Sequence, residues 1–201
     1  MKKIILLFVL FLPILVQAQR FQGGLLGGLN ATQVRGDAFT GYNKAGVLAG
    51  AFVSTELSEN FFWQMEFKYS QKGSRKNPNH EKQDFDKYIM RLGFMELPVL
   101  IGYHADERID ILAGFSVGWL AHAKEFDIQG EFPREDQVSF KEYEFAGFAG
   151  LRYNLSAHFA ADLRIGYSLI PIRDMVGDSP YWFTGGQFNN VLSTALYYRF
   201  K

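Results

Sequence analysis

From Phe61 to Tyr69 every odd position is large and apolar or aromatic, and from Gln64 to Lys72 every even position is polar, with Glu66 and Lys68 charged. Strict alternation predicts a β-strand with two unlike faces, because successive side chains leave a strand on opposite sides. A soluble sheet buries the aromatic face and wets the polar one. A membrane barrel inverts this, turning aromatics to lipid and charges to the lumen. The rest of the chain has to decide between the two.

Seven further segments carry strand patterning: Phe21–Gln33, Gly46–Glu56, Tyr88–His104, Ile109–Ala121, Phe140–Asn154, Ala157–Leu169 and Asn189–Phe200. The first is rich in glycine, which suits close strand packing. Leu97-Pro98 interrupts the fourth segment in chain order, and because proline cannot donate to a ladder a bulge or local irregularity is expected there. Ile109–Ala121 sets Ile109, Ile111, Phe115, Val117 and Trp119 against Asp110, Gly114, Ser116 and Gly118. In several segments the apolar face ends in an aromatic, as a lipid-facing band with interfacial girdles requires.

Connection lengths separate the alternatives. Leu57–Asn60, Ala105–Arg108 and Leu155-Ser156 are hairpin turns, whereas Val34–Ala45, Gly73–Lys87, His122–Ser139 and Ile170–Phe188 are long and polar. Short and long connections alternate, which puts all turns at one end and all loops at the other. The pattern therefore predicts an all-β fold: an eight-stranded antiparallel up-and-down transmembrane β-barrel with short periplasmic turns and long extracellular loops.

Composition agrees. The 201 residues include twenty Phe, ten Tyr, three Trp and twenty Gly, and carry 21 basic and 21 acidic side chains. Zero net charge offers no footprint for nucleic acid. The lack of cysteine removes disulfides, thiolate metal sites and an N-terminal lipid anchor on Cys. Lys2-Lys3, an apolar run from Ile4 to Val16 and Val16-Gln17-Ala18 read as a secretory signal peptide cleaved before Gln19. The organisation expected is residues 1–18 as signal peptide and residues 19–201 as one barrel domain. Past Leu15 no stretch is apolar for long enough to form a spanning helix.

Candidate chemistry is confined to the inward faces and the loops. Glu66, Lys68, Glu96, Glu142, Glu144, Arg152, Asp162, Arg164 and Arg199 are predicted to point into the lumen, where an interior of eight strands is just wide enough for side chains to fill it. Their near-balance of sign suits a self-satisfied network, since buried charge is tolerable only when paired. Glu142 with Glu144, or Glu66 with Glu96, has the composition of an acid–base pair but no accompanying nucleophile. His80, His104, His122 and His158 lack metal-ligand spacing. No catalytic residue, metal or cofactor is expected. Tyr181, Trp182 and Phe183 in the last loop are a candidate interaction site.

The order of several short motifs resembles the PorT-like, porin-family outer-membrane barrels of Bacteroidetes-type bacteria. These motifs are Gly28-Leu29-Asn30, Tyr69-Ser70-Gln71-Lys72-Gly73, Glu96-Leu97-Pro98, Asp162-Leu163-Arg164, Gly166-Tyr167 and Tyr198-Arg199-Phe200. Lys201 departs from the pattern by following the terminal aromatic. The resemblance implies an outer-membrane barrel of a Gram-negative bacterium and a link to secretion; it supplies no catalytic residues. Expected partners are outer-membrane lipid, the barrel-insertion machinery and proteins met through the extracellular loops. The leading expectation is a non-enzymatic barrel with a plugged lumen. A small-solute channel, and a soluble periplasmic barrel holding an apolar ligand, are the alternatives.

Overall fold

The computed structural model describes residues 21–37, 39, 41–78, 81, 83, 85–132, 139–174 and 185–200. The predicted signal peptide and Tyr181-Trp182-Phe183 lie outside these. Nine strands follow one another: β1 (Gln22–Arg35), β2 (Lys44–Glu56), β3 (Phe61–Lys72), β4 (Arg75–Lys76), β5 (Tyr88–His104), β6 (Ile109–Phe126), β7 (Tyr143–Asn154), β8 (Phe159–Ser168) and β9 (Phe188–Arg199). Each long strand pairs antiparallel with its neighbours in sequence, and β1 pairs with β9 to close the sheet. The two-residue β4 continues the line of β3 along β5. Eight staves thus form a closed up-and-down barrel in which every long strand has a paired neighbour on each side.

Local chemistry accounts for the closure. The three hairpin turns share one geometry: the amides of Leu57, Ala105 and Leu155 donate to the carbonyls of Phe61, Ile109 and Phe159 at 2.8–2.9 Å, and the next amide in each turn donates to the same oxygen. The third turn is therefore four residues long, as the first two are, and not the pair Leu155-Ser156. At Gly28 an added Cβ would sit 2.0 Å from the Thr194 carbonyl, so the glycine-rich β1 can lie against β9 only without side chains there. Gly73, at a φ of +131° and with Met90 carbonyl oxygen where a Cβ would be, makes the bend that separates β3 from β4.

At Pro98 the expected irregularity takes the form of a ladder gap and not a bulge. Its register against β6 is regular, Pro98 opposite Ser116, while pairing of β3 with β5 is interrupted between Met65–Val99 and Lys68–Glu96 without a shift. The missing N–H of proline opens a gap in one ladder and no bulge. The register shift falls instead at Gly93/Phe94.

Alternation sorts the two faces. Outward positions form a belt that includes Phe67, Val99, Ile101, Phe115, Val117, Leu163 and Ile165, with Phe67 58% exposed. Tyr103, Tyr153, Phe159 and Tyr198 lie at its turn end, and Trp119, Tyr143 and Tyr167 toward its loop end. Ile109 to Trp119 spans about ten residues; at roughly 3.3 Å per residue and a tilt near 40° the belt is ~25 Å tall, the height of the apolar band of a membrane barrel. Inward positions are buried. Toward the turn end Leu26, Leu48, Phe52, Ala160, Ala195 and Tyr197 pack together beside Phe62, Leu100 and Leu112. Toward the loop end Val34, Met90, Leu92 and Phe94 pack with Ile172, a residue of the last loop.

The face assignment has a direct test. Phe67→Arg places a cation in the belt and is expected to lower folding stability in bilayers by about 2–4 kcal/mol if Phe67 lies near the midplane. Urea titration of barrels refolded into vesicles, followed by heat-modifiable gel migration, measures it; an unaffected midpoint would mean that this face does not meet lipid.

Candidate functional site

The interior between the two apolar layers is ionic. Arg152 Nε and Asp162 Oδ1 are 2.6 Å apart, and Asp162 Oδ2 is 2.6 Å from Arg164 Nη2. Arg164 grips Glu66 with both terminal nitrogens, at 2.8 and 3.1 Å. Lys68 lies between Glu66 and Glu96 at 3.7 and 3.5 Å, and Lys72 joins Glu96 to Glu144 at 2.6 Å each. The result is one continuous string in which sign alternates at every step: Arg152, Asp162, Arg164, Glu66, Lys68, Glu96, Lys72, Glu144. Its four cations and four anions come from β3, β5, β7 and β8.

Neutral donors and aromatic faces complete the network. Gln64 accepts from Arg152 at 2.9 Å and donates to Glu66 at 2.6 Å, while the Tyr197 hydroxyl donates to the same Glu66 oxygen at 2.8 Å. Ser168 and Asn189 donate to Glu144. The Arg152 guanidinium carbon lies 4.5 Å from the Tyr197 ring centroid, Arg164 faces Phe148 at 5.2 Å and Lys72 faces Phe94 at 5.2 Å. Such contacts give a desolvated cation a partial substitute for water. Glu66 and Glu144 are each 1% exposed, so their charge rests on these partners. A polar cavity of about 40 Å³ remains beside Ser116, Ser168 and Asn189, room on the scale of one or two water molecules.

Smaller clusters stand at the ends. At the loop end Arg173 pairs with Glu125 through two nitrogens, at 2.8 and 2.9 Å, and bonds Gln187 at 2.9 Å; Tyr88 donates a short hydrogen bond to Glu125. At the turn end a recess of about 450 Å³ holds His104 Nδ1 2.8 Å from Asp110 and Nε2 3.2 Å from Glu56, with Arg199 bonded to Asn154.

The structure thus brings together seven of the nine residues predicted to share the lumen. Glu142 is a correction: it is exposed and precedes β7, so the period-two pattern does not extend to it. Arg199 does face inward, half-buried in the turn-end recess with Arg152 and Phe62, but it is bonded to Asn154 and is not part of the string. Lys72 belongs to the string, and its even position in β3 was the available signal. Glu125 and Arg173 were missed because the irregularity in β6 reverses its alternation after Leu120 and Arg173 lies in a loop. The carboxylates proposed as acid–base pairs are not neighbours: Lys68 sits between Glu66 and Glu96, and Glu142 points away from Glu144's cavity. Among the described residues no group of three His, Asp or Glu is placed to hold a metal ion.

Comparison with known proteins gives this geometry a context. The sequence model of the outer membrane protein β-barrel domain family matches residues 17–174. No curated protein sequence matches the chain. Among solved structures the chain is similar to Ail, the attachment invasion locus protein of Yersinia pestis, at 15% identity and a TM-score of 0.53, covering 89% of this chain and 98% of that one. A second Ail structure, in complex with the heparin analogue sucrose octasulfate, matches at 14% identity and a TM-score of 0.50 over 90% and 99% of the two chains. Neisserial surface protein A matches at 10% identity and a TM-score of 0.52 over 90% and 96%. At these identities the likeness is one of fold.

Two outcomes are expected from the ionic interior. Glu66→Gln leaves Arg164 with only Asp162 and is expected to cost about 3 kcal/mol, with the pair Glu66→Gln, Arg164→Met costing clearly less than the sum of its single changes; a double-mutant cycle by urea unfolding in vesicles reads this, and additive losses would show that the two are not coupled. In the first loop, burial holds the Asp37 carboxyl above its ordinary value of 3.8 against the hydrogen bond from the Phe39 amide and the charge of Arg173. A raised acid favours the protonated folded form, so this group costs stability at neutral pH and ceases to do so as pH falls through its raised value. Asp37→Asn is therefore expected to stabilise at pH 7 and to lose that advantage below 3.8; an advantage that grows on acidification would reverse the sign.

Proposed function

This chain belongs to the outer membrane protein β-barrel domain family and is a protein of the Gram-negative outer membrane, and from that premise we propose a non-enzymatic barrel whose lumen is plugged by its own side chains. The observation that carries the reading is the alternating string of eight charges across the lumen, set between two apolar layers. An ion or small solute entering from either end would have to break buried pairs, at several kcal/mol per charge left unpaired. The last loop adds to the barrier: Ile172 packs inside the mouth and Arg173 is fixed to Glu125 and Gln187. Each carboxylate of the string has a cation within 2.8 Å, which leaves none free to move a proton on a substrate.

A barrel without a pore acts through its surfaces. A structural or protein-interaction role through the loops or the turns follows, and its sharper form is an accessory role in secretion, supported by the resemblance of Tyr69-Ser70-Gln71-Lys72-Gly73 and its companion motifs to PorT-like proteins. Planar-bilayer recording of the purified barrel tests the plugged reading. The expected result is no steady unitary current at moderate voltage. A reproducible single-channel conductance would instead establish the small-solute channel.

A further inference from the structure

At the loop end a recess of about 450 Å³ opens where β2, β3, β4, β5 and β6 come together near the bend at Gly73, reaching from the exposed Arg91 and Lys124 on the outer wall in to Lys72 and Leu92. Lys44, Arg75, Arg91, His122 and Lys124 line it, and no carboxylate does among the described residues. Arg91 and Lys124 are direct cross-strand partners, and both are exposed. Like charges opposed in an antiparallel pair repel and destabilise the ladder. Lys124 has Glu131 at 3.1 Å, whereas Arg91 rests 5.1 Å from the Phe126 ring centroid and Arg75 bonds the Asn77 amide oxygen at 2.7 Å. In the lumen every cation of the string touches an anion; here, of the opposed pair, only Lys124 has a carboxylate partner among the described residues.

The height of the recess identifies what can relieve it. On β6 the outward apolar run ends at Trp119, 59% exposed, and His122 and Lys124 follow directly; on β5 the run Ile101, Val99, Leu97 leads up to Arg91. The cations therefore stand at the level of lipid headgroups on the loop side, above a wall against which acyl chains lie. Guanidinium and ammonium groups recognise phosphate by charge-assisted hydrogen bonds. We propose that this recess binds the phosphate of a phosphorylated lipid in the outer leaflet. The lipid's chains run down the belt beside Trp119 and its anionic head sits between Arg91 and Lys124.

The purified barrel in neutral-detergent micelles, titrated with diphosphorylated lipid A and followed by native mass spectrometry and calorimetry, tests the assignment. The barrel is expected to retain the lipid, and Arg91→Gln with Lys124→Gln to weaken retention roughly thirtyfold, two cations' worth of attraction at an anionic surface. Arg108→Gln, at the opposite end, is expected to leave it unchanged. Without lipid, Arg91→Gln should unfold at higher urea than the parent, because the repulsion is gone; with lipid A the order should invert. Equal retention of lipid A stripped of its phosphates, or an unchanged affinity in the double variant, would overturn the proposal. Inorganic phosphate binding as tightly as the lipid would also do so, by making the recess a free-anion site. If the double variant does not show the heat-modifiable folded band, Lys44→Gln carries the same comparison. Conductance has no bearing on any of these outcomes.

Discussion

Closure of the barrel is the constraint on which the rest depends. Joining β1 to β9 gives every long strand a paired neighbour on each side, but it encloses one face of every stave. A lipid-facing exterior requires that the polar half of each alternation be enclosed, so charge cannot escape to solvent and must be neutralised inside. The string from Arg152 to Glu144 is that neutralisation carried out residue by residue. Its cations also lie against Tyr197, Phe148 and Phe94, so the aromatic side chains of the interior serve the charges as well as filling space. Energy and specificity coincide here: a stave slipped by one residue would put Glu66 and Lys68 into lipid and Phe67 into the ionic layer.

Much of this was legible because a strand's two faces are written at period two and no tertiary information is needed to read them. The third stave, Phe61–Lys72, was bounded correctly, and the alternation of turns and loops fixed the up-and-down order. What alternation cannot supply is which inward residues meet. That depends on the stagger between strands distant in sequence, such as the one that brings Arg164 to Glu66. The errors have local causes. Glu142 was assigned by running the period past the first residue of β7. Glu125 escaped notice because β6 carries one extra residue opposite Gly93/Phe94, which inverts its faces for the last turn of the strand's pleat. Proline at 98 pointed to a bulge or local irregularity, and it is the second: the β3 ladder is interrupted there while the strand keeps register with β6.

The opening stretch also shows how one residue type takes different meanings by face. Lys68 and Lys72 face inward from β3, each between two carboxylates. Arg91 and Lys124 face outward, opposed to one another. Composition counts all four alike, and the overall zero charge conceals the difference. Separating them by face leaves the interior string neutral and the loop-end wall positive. An anion in water would meet no net field from the lumen, because alternating charges cancel within a few ångströms.

Apolar layers flank the ionic string on both sides along the barrel axis. Val34, Met90, Leu92, Phe94 and Ile172 lie over it on the loop side and Phe62, Leu100 and Leu112 with the Phe52–Tyr197 cluster on the turn side, while Lys72 borders the loop-end recess and Arg152 the turn-end one. Ile172 comes from a loop, as does Phe140 packed against the same layer, and it is tied down by backbone bonds to Gln187 and Lys141. Opening that mouth would require breaking the Arg173–Glu125 pair and withdrawing Ile172 together, two losses of different kind that no single ligand contact offsets. On the plugged reading the interior is a structural element, and what distinguishes this barrel then lies on the surfaces the closure leaves outside: the loops, the turns and the charged rim of the wall.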